Sequence, residues 1–256
     1  MSQDDKREPR RLADLLRRGM SQAKQQPSAG LAQLEADWKQ RELEQQRAAA
    51  AEEARRELEH ERAWPSHLEL CGAPAEAVAG LRGERPLETA ALRAARHVLH
   101  ERLRSLLLSG GPGTGKTTGA CHLFRAAVRG GRGRSEWDAS AGLFIDWARL
   151  SREEDSEAQR RLLQRAAQVR VLVLDDIGGE ASGPRPRELL EALVEQRDRP
   201  DLVTAYTTRL SVQRREGAPS RFAESVGARV VQRMSRQGTF HLADCGNRDL
   251  RQGVKP

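Results

Sequence analysis

The spacing of apolar positions changes along the chain, and each change predicts a different element. Residues 1–30 open with a basic stretch (Lys6, Arg7, Arg10, Arg11, Arg17, Arg18) that carries Leu12, Leu15 and Leu16 at helical spacing, and Pro27-Ser28-Ala29-Gly30 interrupts it. From Leu31 to Ala63 apolar residues are sparse and Ala, Glu, Gln and Arg dominate, a composition that favours helix. Glu35–Lys39, Asp37–Arg41 and Glu52–Arg56 have the i,i+4 orientation that supports one. A heptad seam starts at Leu31, Leu34 and Trp38 but then meets Arg41, Gln45 and Glu52, which argues against a long coiled coil. Trp64-Pro65 predicts the end of this helix. Gly72, Pro74, Gly80, Gly83 and Pro86 then mark 66–87 as a turn-rich linker. Pro86 to Glu101 reads as helix, with Leu92, Ala95, Leu99 and Leu103 as its apolar stripe.

Short apolar runs then alternate with helical patterns. The runs are Leu106–Leu108, Leu143–Ile145, Val169–Leu174, Leu202–Tyr206 and Thr239–Leu242; the helical stretches are Thr117–Val128, Arg149–Ala167 and Arg187–Arg197. The alternation predicts a parallel sheet with right-handed crossovers. The nearly unbroken apolar run at 169–174 fits a strand covered on both faces. We therefore expect an α/β domain over 66–256 with a five-stranded parallel sheet, preceded by a charged helical N-terminal arm over 1–65. The arm serves either to dock a partner or as a solvated spacer.

The chemistry sits at two strand ends. After the first strand comes Gly110-Gly111-Pro112-Gly113-Thr114-Gly115-Lys116-Thr117, followed by Thr118 in the next helix. This is the strand–loop–helix context of a phosphate-binding loop. Its glycines let successive N–H groups point inward, and these amides with the helix N-terminus hold phosphate oxygens. Lys116 is expected to reach the β- and γ-phosphates of ATP, and the Thr117 hydroxyl to ligate Mg²⁺. The third strand ends in Asp175-Asp176, at the carboxyl end where open parallel sheets bind ligands. Asp175 is the candidate Mg²⁺ partner through metal-bound water, and Asp176 the group that orients or polarises the attacking water.

Charge and composition narrow the partner classes. With 44 Lys+Arg against 37 Asp+Glu the net charge is +7, which suits either an anionic partner or simply an arginine-rich surface. Aromatics make up only 4%, too few for a base-stacking platform. Lysine occurs only at positions 6, 24, 39, 116 and 255, so Lys116 stands out as a compact ammonium where arginine is otherwise the rule. Cys71, Cys121 and Cys245 are widely spaced, and no His cluster shows ligand spacing, so neither a disulfide framework nor a zinc site is expected. The charged start and the lack of long apolar runs lead us to expect a cytoplasmic protein without a membrane span.

These two motifs, Gly-Gly-Pro-Gly-Thr-Gly-Lys-Thr and Val-Leu-Val-Leu-Asp-Asp-Ile-Gly, resemble those of AAA+ ATPases of the DnaC/IstB type, which include helicase loaders and transposition helper ATPases. Cys71-Gly72-Ala73-Pro74 is similar to the family's short lead-in before its first helix. The resemblance spans about 68–250 and implies a P-loop NTPase three-layer sandwich. It also implies a first sensor at the end of the fourth strand, where Thr207 and Thr208 match and Arg209 replaces the usual Asn; Thr208 is the residue assigned. Gly227–Met234 resembles the arginine-finger segment, with Arg233 the best match and Arg229 second. A finger acting in trans implies a homo-oligomer or docking on another ATPase. The implied partners are a replicative helicase, or a transposase, held by the N-terminal arm, and single-stranded DNA. Initiator-type AAA+ proteins place their single-strand contacts just after the second strand, which resembles the 147–165 region; Arg132, Arg134, Arg149, Arg152, Arg160 and Arg161 are the candidates to line a DNA backbone, and a solvated charged face is the other reading of these arginines. The function expected first is loading or remodelling of a replicative helicase. A transposition helper that binds duplex DNA and a nucleotide-switched adaptor with negligible turnover are the alternatives.

Overall fold

The computed structural model describes residues 29–82, 87–129, 141–152, 156–179, 184–214, 216–236 and 239–250. The basic start with Leu12, Leu15 and Leu16, and the loop carrying Arg132 and Arg134, lie outside these residues. The chain divides into two units, Met1–Leu58 and Glu59–Pro256. In the first, the described residues are helical, those at 36–58 are exposed, and Leu34, Trp38, Leu43 and Leu58 face solvent. Arg56 donates to Glu52 at 2.5 Å, one of the i,i+4 pairs expected from sequence.

Helix α1 spans Ala29–Leu70 and contains Pro65. The expected stop at Trp64-Pro65 is therefore wrong. A proline inside a helix costs about 3 kcal/mol or more. Within the second unit Trp64 and Leu68 are buried in the core, and full burial of two such side chains returns about 1.5–3 kcal/mol each. The Arg125 guanidinium also lies 4.2 Å above the Trp64 ring and pairs with Glu61 at 2.5 Å. The helix stops instead at a turn through Gly72 (φ +96°), where a Cβ would come within 2.6 Å of the Phe144 carbonyl. The expected linker is likewise partly structured, because it contains the end of α1 and helix α2 (Ala75–Ala79).

Helix α3 (Ala90–His100) starts where the Thr89 hydroxyl accepts from the Leu92 N–H at 3.0 Å. Strand β1 (Ser105–Ser109), helix α4 (Lys116–Arg129), strand β2 (Gly142–Asp146), helices α5 (Trp147–Leu150) and α6 (Glu157–Gln168), and strand β3 (Val171–Asp175) follow. Then come α7 (Pro184–Gln196), β4 (Val203–Thr208), α8 (Arg221–Val226), α9 (Ala228–Arg236) and β5 (Phe240–Asp244). The single helix expected over 149–167 is split. Asp146 caps α5 by accepting from the Arg149 N–H, and Ser156 starts α6 afresh by accepting from the Gln159 N–H.

All strand pairs are parallel, in the order β2-β3-β4-β1-β5. Alternate residues of the strands serve two cores, as the period of two requires. Leu106, Leu108, Val171, Val173 and Ala205 pack with the end of α1, with α2, α3 and α4. Leu107, Leu172, Leu174 and Tyr206 pack on the opposite face with α5 to α9. The result is the expected three-layer sandwich. Helices α3 and α4 meet at Ala91 and Gly119, where a Cβ on Gly119 would lie 2.7 Å from the Ala91 Cβ.

Candidate nucleotide site

The carboxyl ends of β1, β3 and β4 bring the expected site residues together. The loop after β1 curls through Gly110 (φ +152°), Gly113 (φ +70°) and Gly115 (φ +83°) into the start of α4. Gly113 holds a positive φ that side-chain residues rarely adopt, and a Cβ there would displace the Asp249 carboxylate. The segment after β5 is pinned across this loop. Gly246 O accepts from the Gly111 N–H at 2.8 Å, and the Leu250 N–H donates to Gly113 O at 3.0 Å. That contact was not foreseen from sequence.

Lys116 is 8% exposed, and its ammonium donates to Gly110 O at 2.8 Å and to Gly111 O at 2.6 Å. Burial lowers its pKa, while Cys245, Asp175 and Asp176 nearby pull it back up. A buried cation satisfied only by neutral oxygens suits exchange onto a phosphate. The Thr117 hydroxyl donates to Asp175 at 3.1 and 3.3 Å, and the Thr207 hydroxyl donates to Asp175 at 2.6 Å. Burial raises the Asp175 pKa; the bonds from Thr207 and Thr117 oppose this, and the Asp176 and Asp146 charges add to it. A hydroxyl and a carboxylate at one strand end form the hard oxygen set that Mg²⁺ takes with few protein ligands, so Thr117 and Asp175 fit that ion. Among the described residues no cluster of three or more His, Cys, Asp or Glu forms a metal site without phosphates.

Asp176 has φ +60° and forms an ion pair with Arg209 at 2.9 Å. Its N–H donates to the Thr207 hydroxyl at 2.9 Å. Thr208 is placed differently. It is fully buried, and its hydroxyl donates to Ile177 O at 2.8 Å and accepts from the Leu210 N–H at 3.1 Å. Of the two threonines that match the sensor segment, Thr207 is the one turned to Asp175 and Thr208 is turned away from it, because neighbouring strand residues point to opposite faces.

A cleft of about 590 Å³ runs from the loop to α2, lined by Gly113–Thr118, Asp175, Arg209, Pro74, Glu76, Ala77, Gly80, Leu87, Thr89 and Leu250. Of this wall, Pro74, Glu76, Ala77, Gly80 and Leu87 fall in the stretch that reads as linker from sequence. Its signal was the Gly72-Ala73-Pro74 lead-in, which placed the chain but not its role. Arg233 lies on α9 and pairs with Glu195 of α7 at 3.1 Å, and Arg229 reaches Glu191 at 3.7 Å. Neither lines this chain's cleft. Arg160 and Arg161 pair with Glu157, and Arg152 donates to Ala148 O.

The family model described as IstB-like ATP binding protein matches residues 84–214, just over half of the chain. The chain belongs to this family. Its phosphate loop, both aspartates and the Thr207–Arg209 strand end fall inside the matched span, so it is an ATP-binding AAA+ protein of the DnaC/IstB type. Among solved structures this IstB-like chain resembles the DnaC helicase loader (26% identity over 62% of this chain and 92% of that one, TM-score 0.46). It also resembles DnaI (20% identity, 60% and 82% covered, TM-score 0.44) and AMPPCP-bound DnaA from Aquifex aeolicus (14% identity, 59% and 43% covered, TM-score 0.42). No curated protein matches the chain at a significant level. Among the described residues no helix is long and apolar enough to cross a membrane.

Proposed function

We propose that this IstB-like protein is a Mg²⁺-dependent ATPase that loads or remodels a replicative helicase on DNA. The observation that carries the ATPase part is the grouping of Lys116, Thr117 and Asp175 around one cleft, with Asp176 tied to it by its ion pair with the cleft-lining Arg209. The loop amides and Lys116 bind the triphosphate, which is the substrate. Thr117 and Asp175 would hold Mg²⁺, which supplies Lewis-acid polarisation of the phosphate oxygens when bound. Asp176 orients the attacking water and takes its proton. Arg233, which pairs within its own chain away from the cleft, serves a neighbouring ATPase as the arginine finger in a homo-oligomer or mixed assembly. The exposed helical arm holds the helicase, and the ATPase core meets single-stranded DNA. The resemblance of the Asp-Asp-Ile-Gly strand end and its lead-in to helicase loaders supports this role.

A second reading is favoured by the matching family itself, whose description is IstB-like: a transposition helper that binds duplex DNA and partners a transposase. Turnover of the purified chain with either DNA form separates the two. Stimulation by single-stranded DNA together with a stable complex with a hexameric helicase supports loading. Stimulation by duplex DNA supports the helper, and absence of turnover with both makes the chain a nucleotide-switched adaptor. For the site as such, Lys116→Ala is expected to weaken Mg·ATP binding by about 100-fold or more, because the β/γ charge loses its partner. Unchanged affinity in equilibrium titration overturns the assignment.

A further inference from the structure

Arg209 stands directly after β4, where the resemblance leads one to expect a neutral side chain. Its guanidinium has two neighbours of interest. One is the Asp176 carboxylate at 2.9 Å. The other is the cleft itself, since Arg209 lines it together with Lys116, Thr117 and Asp175. The side chain is 57% exposed while its partner carboxylate is 18% exposed, so the arginine is the member of the pair with room to move. Asp176 is held by its backbone, with φ +60° and its N–H bonded to Thr207. Among the described residues lining the cleft, Lys116 and Arg209 are the cations, and only Lys116 is buried in the loop.

We propose that Arg209 reads the terminal phosphate by changing partners: its guanidinium exchanges the Asp176 carboxylate for the γ-phosphate of ATP, so that triphosphate binding and release of Asp176 are one event. The inference rests on the ATP-site reading above. A guanidinium suits the exchange because carboxylate and phosphate present the same planar pair of acceptor oxygens to its fork. A diphosphate ends short of that position and leaves the pair intact. Arg209 thus becomes a specificity-determining residue for ATP over ADP, and Asp176 a competitor for it.

The competition gives the test its signature. Equilibrium affinities for a non-hydrolysable ATP analogue and for ADP, both with Mg²⁺, are measured on the full chain carrying Arg209→Gln, Arg209→Lys, Asp176→Asn or Arg209→Gln with Asp176→Asn. Circular dichroism confirms that each variant folds. Arg209→Gln is expected to weaken the analogue about tenfold while moving ADP less than about twofold, the loss of one charge-assisted contact. Arg209→Lys recovers part of that loss. Asp176→Asn is expected to tighten the analogue about threefold or more, and this gain disappears in the double variant, a coupling that a double-mutant cycle detects. If Asp176→Asn tightens ADP equally, or if its gain persists without Arg209, general charge relief explains it and the exchange is overturned. Equal weakening of both nucleotides by Arg209→Gln also overturns it. Should the unaltered chain bind neither nucleotide, the ATP-site reading itself fails, an outcome distinct from the others.

Discussion

Two arginines bridge the segments that flank β3 and β4, one near each end of the strands, and they are held in opposite ways. At the amino end Arg197 is 4% exposed and makes four hydrogen bonds. It donates to the Thr204 hydroxyl at 2.8 Å, to Ala166 O at 2.6 Å, to Val169 O at 2.8 Å and to Val203 O at 2.8 Å. All four acceptors are neutral, and burial pulls its pKa down to about 10. At the carboxyl end Arg209 is mostly exposed and bonds a carboxylate. Arg197 is held by four fixed neutral acceptors and, unlike Lys116, does not line the nucleotide cleft, so Arg197 is structure. A solvent-facing cation on one carboxylate leaves easily, so Arg209 is a movable part. The same residue type works at both ends of the β3–β4 pair, and the dielectric around it decides which of the two it is.

The largest effect is expected at Arg197. Arg197→Met removes the guanidinium and strands buried carbonyls of α6 and β4, which destabilises the fold by about 3–5 kcal/mol in denaturant titration. Nucleotide affinity of the folded fraction should stay close to the unaltered chain. A loss under about 1 kcal/mol would mean that the amino end is no staple and the contrast is void. Next is Asp176→Asn, which is expected to slow hydrolysis about 100-fold while triphosphate remains bound, in single-turnover assays. An unchanged rate would move water activation to another group. Smallest is the stability change of Arg209→Gln. As a pair with one largely exposed member it should change unfolding free energy by less than about 1 kcal/mol. A change as large as that for Arg197 would make both ends structural and erase the difference.

The parts of this site written in contiguous residues were legible from sequence. The phosphate loop is a local backbone device, so eight consecutive residues specify it, and Asp175-Asp176 inherit their place from the strand before them. The strands were legible because buried parallel strands are short apolar runs. What escaped depends on contacts between distant segments. Thr207 and Thr208 are indistinguishable until the sheet fixes which one turns to Asp175. The stop expected at Pro65 failed because the burial of Trp64 and Leu68, set by the remote core, outweighs a local helix breaker. The compact unit that begins at Glu59 accordingly includes the helical turn that holds Trp64. The pinning of the segment after β5 onto Gly111 and Gly113 left no trace in the spacing of any residue type.

The missing side chain at Gly119 sets a rule of inheritance. The Ala91 backbone as well as its Cβ lies under 3.0 Å from where a Cβ would sit, so no rotamer change at Ala91 makes room for alanine at 119. About one turn back along the chain from this contact, at Gly115, the α3 cap residue Thr89 is already within 3.2 Å of the position a Cβ would take. Mutation at 119 therefore displaces α3 as a body, and with it the wall that faces the phosphate loop. In a lineage of such chains these positions would drift together or not at all: a larger residue at 119 survives only after α3 has been re-seated, and the order of the two changes is fixed by sterics.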